Sequence, residues 1–126
     1  MMQEFQHRNI FLWRKERCTA LTISKLKDPA LDRLFEAILL LGDVDECYRF
    51  FEDICTVAEL KALAQRLDVA KMLEQDATYT HIAEKTGASP ATISRVKRCL
   101  IYGADGYRLI LQRLREKKSV DTPQTP

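Results

Sequence analysis

Apolar residues recur at three- and four-residue steps along most of this chain, the spacing of amphipathic helices rather than strands. The first clear segment opens with Asp28 as a side-chain cap and Pro29 in the first turn, runs over residues 30–41 and stops at Gly42. Leu31, Leu34, Phe35, Ile38, Leu39, Leu40 and Leu41 are too many for one stripe. A helix apolar on most sides needs burial on most sides, which in so short a chain predicts a partner subunit. A second helix is expected over residues 44–54 behind Asp43. Val44, Cys47, Tyr48, Phe51 and Ile54 form its inner face, and Phe50 adds apolar area outside it. A third starts at Thr56, where Thr56 and Glu59 have the spacing of a capping box. Leu60, Leu63, Leu67, Ala70 and Leu73 carry it to about residue 75, with Arg66 just off the stripe, where a surface salt bridge is its simplest role.

The next stretch, YTHIAEKTGASPATISRVKRCL over residues 79–100, has the spacing of a helix-turn-helix. Ala83 is small, in the middle of a first short helix. Gly87 follows four residues later, where the chain must turn and a left-handed backbone is cheap only for glycine. Ser89 then Pro90 start a second helix as cap and first-turn proline. Ile93, Val96 and Leu100 point inward to meet Ile82. The outside and flanks are left with Ala91, Thr92, Ser94, Arg95, Lys97 and Arg98, and with no acid. Small and hydroxylated residues near a helix start allow close approach to base edges. Arginine suits guanine edges, and either cation binds phosphate. The bland alternative is two packed helices with a solvated basic face. The Ala, Gly and Ile spacing, the Ser-Pro start and the acid-free helix together favour DNA, with Ser89, Ala91, Thr92, Ser94, Arg95, Lys97 and Arg98 as the contact residues.

Gly103 ends that helix, and Asp105 is positioned to cap a last one through Tyr107, Ile110, Leu111 and Leu114. Arg113, Arg115, Lys117 and Lys118 make its end basic, as the helix dipole favours. The expected organisation is an N-terminal extension over residues 1–26, a helical domain over residues 27–117 and a polar, flexible tail over residues 118–126. The extension holds a clustered Ile10, Phe11, Leu12 and Trp13 among basic residues and does not resolve into an element; loose packing or disorder is its default reading.

Composition narrows the class. Glycine occurs only four times, and β-branched runs are scarce, so the 46% apolar content goes into helices with a real core. The net charge of +2 is unevenly placed. Residues 28–59 carry nine acids against two arginines, and residues 60–118 carry twelve cations against six acids. A basic C-terminal half on a near-neutral protein suits a local nucleic-acid footprint better than a general polycation. No apolar run spans a bilayer and none resembles a signal-peptide core, so a cytoplasmic location is expected, without membrane contact. Cys18, Cys47, Cys55 and Cys99 form no CxxC pair and lie away from His7 and His81, so reduced, mostly buried thiols are expected rather than a metal site or disulfide framework. His81 reads as a solvated or capping histidine. With no phosphate loop, metal constellation or activated nucleophile, the chain does not read as an enzyme.

The passages ECYRFFEDICTVAEL, LAQRLDVAKML and TGASPATISRVKRCLIYG resemble the Trp repressor superfamily, specifically its YerC/YecD branch. The resemblance spans residues 26–114, and branch members begin near Leu21, so the residues before it read as an extension or an over-extended start. It implies an all-α, intertwined homodimer with one helix-turn-helix per chain, and a pseudo-palindromic double-stranded DNA site with half-sites about 10 bp apart. It also implies a co-ligand pocket at Thr56, Arg66, Thr92, Arg95 and Cys99, the first four matching the repressor's threonine and arginine ligand positions. Two arginines suit a carboxylate. Val96, however, stands where the repressor has a glycine that leaves room for the indole, and Cys99 where it has a serine. L-tryptophan is therefore not expected to bind, no other cofactor is called for, and a different small co-ligand stays open. The expected function is a dimeric, sequence-specific transcription regulator, a repressor. The alternative is a helical protein-interaction module that keeps the fold without reading DNA.

Overall fold

The structure, a computed structural model, describes residues 27–121; the expected extension over residues 1–26, with His7 and Cys18, and the end of the tail lie outside them. Six helices and no strand occur among the described residues: α1 (Pro29–Leu39), α2 (Val44–Ile54), α3 (Val57–Glu74), α4 (Tyr79–Thr86), α5 (Pro90–Tyr102) and α6 (Gly106–Asp121). Side-chain caps set most of the starts. Asp28 accepts from the Ala30 amide, Asp43 from Glu46, Thr78 from His81 and Ser89 from Thr92, each from extended backbone. At α3 the capping box is complete. Thr56 Oγ1 accepts from the Glu59 amide at 3.2 Å, and Glu59 Oε2 accepts from the Thr56 amide at 2.8 Å. That amide, joined by the Thr56 hydroxyl, holds the Glu59 carboxyl below its ordinary pKa. The cap is thus strongest with Glu59 ionised, and weakens as the pH falls through the lowered value.

The core lies in the C-terminal half. Val69 and Ala70 of α3, Ile82 of α4, Ala88 of the turn, Ile93 and Val96 of α5 and Leu111 of α6 are buried together. Here α3 is the backing element: it packs on α4, α5 and α6, while α5 also meets α4 and α6. By contrast, α1 and α2 bury no residue. Leu39 and Leu40 are 83% and 85% exposed, Val44 69% and Tyr48 58%. Much of the α2 face expected to turn inward, and of the surplus of leucines on α1, is therefore left uncovered by the described residues.

Five features depart from the sequence reading. Helix α1 stops at Leu39 rather than residue 41, because the Leu40 and Leu41 amides tighten onto the carbonyls three residues back. Leu63, expected in the core, is 47% exposed. The buried side of α3 is set instead by Val69 and Ala70, one turn after the half-buried Arg66, which thus stands on the core-facing row. Asp105 precedes α6 in a left-handed conformation, φ +63°, and its carbonyl accepts the Leu109 amide. That helix continues through Asp121, past the expected boundary at 117. Finally, Cys47 and Cys55 are only half-buried and Cys99 is exposed, so the thiols are less enclosed than expected.

Gly87 closes α4 at φ +69°, with its amide donating to the Ala83 carbonyl at 2.9 Å. A Cβ there would meet only Gln65 Nε2 at 3.9 Å, so alanine is opposed by backbone conformation and not by crowding. Gly87→Ala should cost roughly 1–2 kcal/mol, and Gly87→Asn clearly less. Urea unfolding of the two variants checks this; equal stabilities would remove the left-handed turn as the constraint.

Candidate nucleic-acid interface

The turn between α4 and α5 is braced from two sides. Within it, Thr86 Oγ1 donates to the Ile82 carbonyl at 2.7 Å and accepts the Ala88 amide at 3.2 Å. Across it, Gln65 Nε2 of α3 donates to the Thr86 carbonyl at 3.0 Å in a part-buried setting. The last carbonyls of a helix lack intrahelical partners, so this bond satisfies one of them and ties the turn to α3. Neither Gln65 nor Thr86 stood out in the sequence: the two are 21 residues apart and no local pattern pairs them. The start of α5 is fixed by Ser89, whose Oγ accepts the Thr92 amide at 3.2 Å and lies 3.0 Å from the Thr92 hydroxyl.

With Ile93 and Val96 buried and Leu100 half-buried, helix geometry fixes what faces outward. Ala91, Ser94, Arg95 and Arg98 follow at three- and four-residue steps on the opposite side, all exposed, and Tyr102 extends that row at 65% exposure. Tyr102 was not among the expected contact residues. No acid occurs in α5. Thr92, Arg95 and Cys99 share one flank. Lys97 lies on the other, with its Nζ 5.4 Å from the centroid of the Tyr79 ring, a cation–π contact with the start of α4. The seven expected contact residues thus divide: Ser89, Ala91, Ser94, Arg95 and Arg98 lie at the start and on the outer face, with the half-buried Thr92 on one flank and Lys97 on the other.

The expected co-ligand residues lie at the start of α3, within α3 and on α5. Thr56 is engaged with Glu59 in the α3 cap. Arg66 is half-buried and folds back on its own helix, Nε donating to the Ala62 carbonyl at 3.2 Å. Thr92 is held by Ser89, and Arg95 and Cys99 are exposed on α5. His81 is exposed and contributes its amide to the Thr78 cap, as a solvated histidine would. No group of three or more His, Cys, Asp or Glu residues with metal-holding geometry occurs among the described residues. No described helix is long and apolar enough to cross a membrane.

These features define an all-helical protein in which one backing helix presents a short helix, a left-handed turn and an acid-free cationic helix. The family described as Trp repressor protein matches over residues 29–115, and the chain belongs to that family. It is 56% identical over 97 residues to the uncharacterised protein YerC of Bacillus subtilis (strain 168), covering 77% of this chain and 93% of that one. A crystal structure of a candidate Trp repressor from Staphylococcus aureus is 56% identical, with a TM-score of 0.71, over 74% of this chain and 93% of that one. A TrpR-like protein from Eubacterium eligens is 59% identical, with a TM-score of 0.70, over 72% and 94%. The Trp-repressor-like all-α fold expected from the sequence is the fold observed.

The Gln65 bond is open to test. Gln65→Leu keeps the side-chain bulk and leaves the Thr86 carbonyl without its donor. It should cost about 0.5–1.5 kcal/mol and speed amide exchange at Gly87 and Ala88 relative to the α3 core. Unchanged exchange in the turn would mean that the bond does not hold it.

Proposed function

We propose that this chain is a dimeric, sequence-specific double-stranded-DNA-binding regulator of transcription, acting as a repressor. The observation that carries the reading is the outer face of α5. A small, cationic, acid-free surface with Ala91, Ser94, Arg95 and Arg98 in one row is anchored by two fully buried β-branched residues and a braced turn. Major-groove reading needs such a row, held rigidly and free of carboxylates that would repel phosphate. Membership of the Trp repressor family supports it. In this role Arg95 and Arg98 meet base edges or phosphates. Ser89, Ala91, Thr92 and Ser94 line the approach, and Lys97 meets phosphate from its flank.

Dimerisation is supported by the uncovered apolar surface of α1 and α2. Phe35, Leu39, Leu40, Val44, Tyr48 and Ile54 are all at least half exposed, continuing onto Val57 and Leu63 of α3. A second copy covers this surface and sets two α5 helices for half-sites about one DNA turn apart. The remaining proposals concern organisation and place: residues 27–117 as the functional domain in the cytoplasm, the segments on either side as appendages, and no catalytic activity.

The same uncovered surface favours a second reading, a helical interaction module that no longer reads DNA, because its polar positions are strongly acidic and suited to a basic protein partner. Selection of duplexes from a random pool at about 0.15 M salt separates the two. Enrichment of a pseudo-palindrome is expected, and it should be lost in Arg95→Ala/Arg98→Ala. Arg98→Ala alone should weaken binding and lower the slope of log affinity against log salt by about one. A salt-insensitive titration without enrichment would overturn the DNA reading in favour of the interaction module.

The co-ligand proposal is kept separate. Thr56, Arg66, Thr92, Arg95 and Cys99 are its candidate residues, and L-tryptophan is not its ligand. Val96 is only 1% exposed, and its isopropyl group belongs to the core. Calorimetry should show no heat of L-tryptophan binding; micromolar affinity would refute the exclusion.

A further inference from the structure

The two helices of the motif also meet at an exposed contact outside the buried core. Tyr79 is the first residue of α4, and Lys97 stands on the flank of α5 away from Thr92, Arg95 and Cys99. The Lys97 Nζ lies 5.4 Å from the centroid of the Tyr79 ring. Both residues are exposed, Tyr79 at 38%. Beside them a cavity of about 760 Å³ opens between the end of α3, the turn into α4, and α6. Asp76 borders that space together with Lys97, yet Lys97 forms no ion pair among the described residues. Its ammonium lies over the ring instead.

A lysine carries its charge on a flexible four-carbon stem and loses much of that freedom when the charge is fixed on a phosphate. A ring face that attracts the ammonium beforehand removes part of this cost. The place of the contact bears on what the ammonium meets. In a helix-turn-helix the first helix crosses the DNA backbone, while the start of the second reads base edges. Lys97 lies about two turns past the start of α5, and its charge is drawn to the first residue of α4. We propose that Tyr79 is the positioning residue for Lys97: its ring presents the ammonium to a phosphate where α4 crosses the backbone. This role rests on the DNA reading above. It makes the contribution of Lys97 the same for every sequence, because a phosphate carries no base identity. With leucine at 79, the ammonium is free to swing over the open space beside it.

The first measurement needs no DNA. In the full chain the ε-methylene protons of Lys97 should resonate upfield of those of the other lysines, shielded by the ring face. Tyr79→Phe should keep that shift and Tyr79→Leu should abolish it. Tyr79 is exposed and outside the buried core, so both variants should fold. Duplex titrations at several salt concentrations follow. Tyr79→Leu should weaken binding about two- to fivefold per half-site, the size of an exposed cation–π contact. The loss should be equal on the selected pseudo-palindrome and on an unrelated duplex. The slope of log affinity against log salt should hold in Tyr79→Leu, because the lysine still reaches its phosphate, and should fall by about one per half-site in Lys97→Gln. Tyr79→Phe should bind as the wild type does, and Tyr79→Leu should have no further effect in the Lys97→Gln background. An absent ring shift, a loss in Tyr79→Phe, or an undiminished loss in the Lys97→Gln background would overturn the positioning role and leave the DNA reading intact. A wild-type chain that binds no duplex would overturn both.

Discussion

The orientation of α5 depends on one packing contact: Ile93 and Val96 against Ile82 and against Val69 and Ala70 of α3, closed across the Gly87 turn. All but Ala70 are β-branched residues with few side-chain rotamers, so their contact fixes an angle as well as burying area. Ala70 and Ala88 are small, which lets the helices approach closely. Among the described residues the core is only seven side chains, and Val69, Ile82, Ile93 and Val96 are the largest that are fully buried. At about 1.5–3 kcal/mol for each such side chain, the loss of any one would remove a large share of what holds the exposed row of α5 in place. The hydrogen bonds of the turn add direction to this packing rather than replace it. Gln65 and Thr86 set where the chain leaves α4, and Ser89 sets where α5 begins.

The two halves of the chain have different energetics. The C-terminal four helices share the buried core. The first two bury no residue and carry exposed apolar side chains together with a marked excess of acids over cations. Helix α3 belongs to both halves: its end enters the core with Val69 and Ala70, while Val57 and Leu63 near its start remain exposed. In the proposed dimer this division makes the N-terminal half the assembly element and the C-terminal half the reading element, joined by one continuous helix. Stability of the whole then depends on protein concentration, while the local geometry of the turn does not.

Local chemistry was legible in the sequence to the degree that it was local. Asp28, Asp43, Thr56 and Ser89 mark helix starts because a cap and its amide lie within three residues of each other, and the structure has those four caps. Gly87 was legible because the left-handed conformation selects residue type directly. Periodicity identified Ile82, Ile93 and Val96 but misplaced Leu63, since α3 is apolar on more than one side and spacing alone does not say which side meets the rest of the chain. Arg66 was misjudged for the same reason. Contacts between distant residues left no signal: Gln65 with Thr86, Lys97 with Tyr79, Arg115 with Glu74. The cavity beside α5 is bordered by residues from four helices and belongs to the same group.

Helix α5 therefore has three working sides set by a single buried stripe. In the proposed function the outer row faces DNA; one flank carries Thr92, Arg95 and Cys99, and the other carries Lys97. Val96 lies at the centre of this arrangement. The resemblance to Trp repressors implies a glycine there, which leaves room for an indole; here the side chain is an isopropyl group, almost wholly buried and part of the core. In the proposed function this excludes the indole alone, and Thr56, Arg66, Thr92, Arg95 and Cys99 stay the candidates for a different co-ligand. On the Lys97 side, open space remains between α3, α5 and α6.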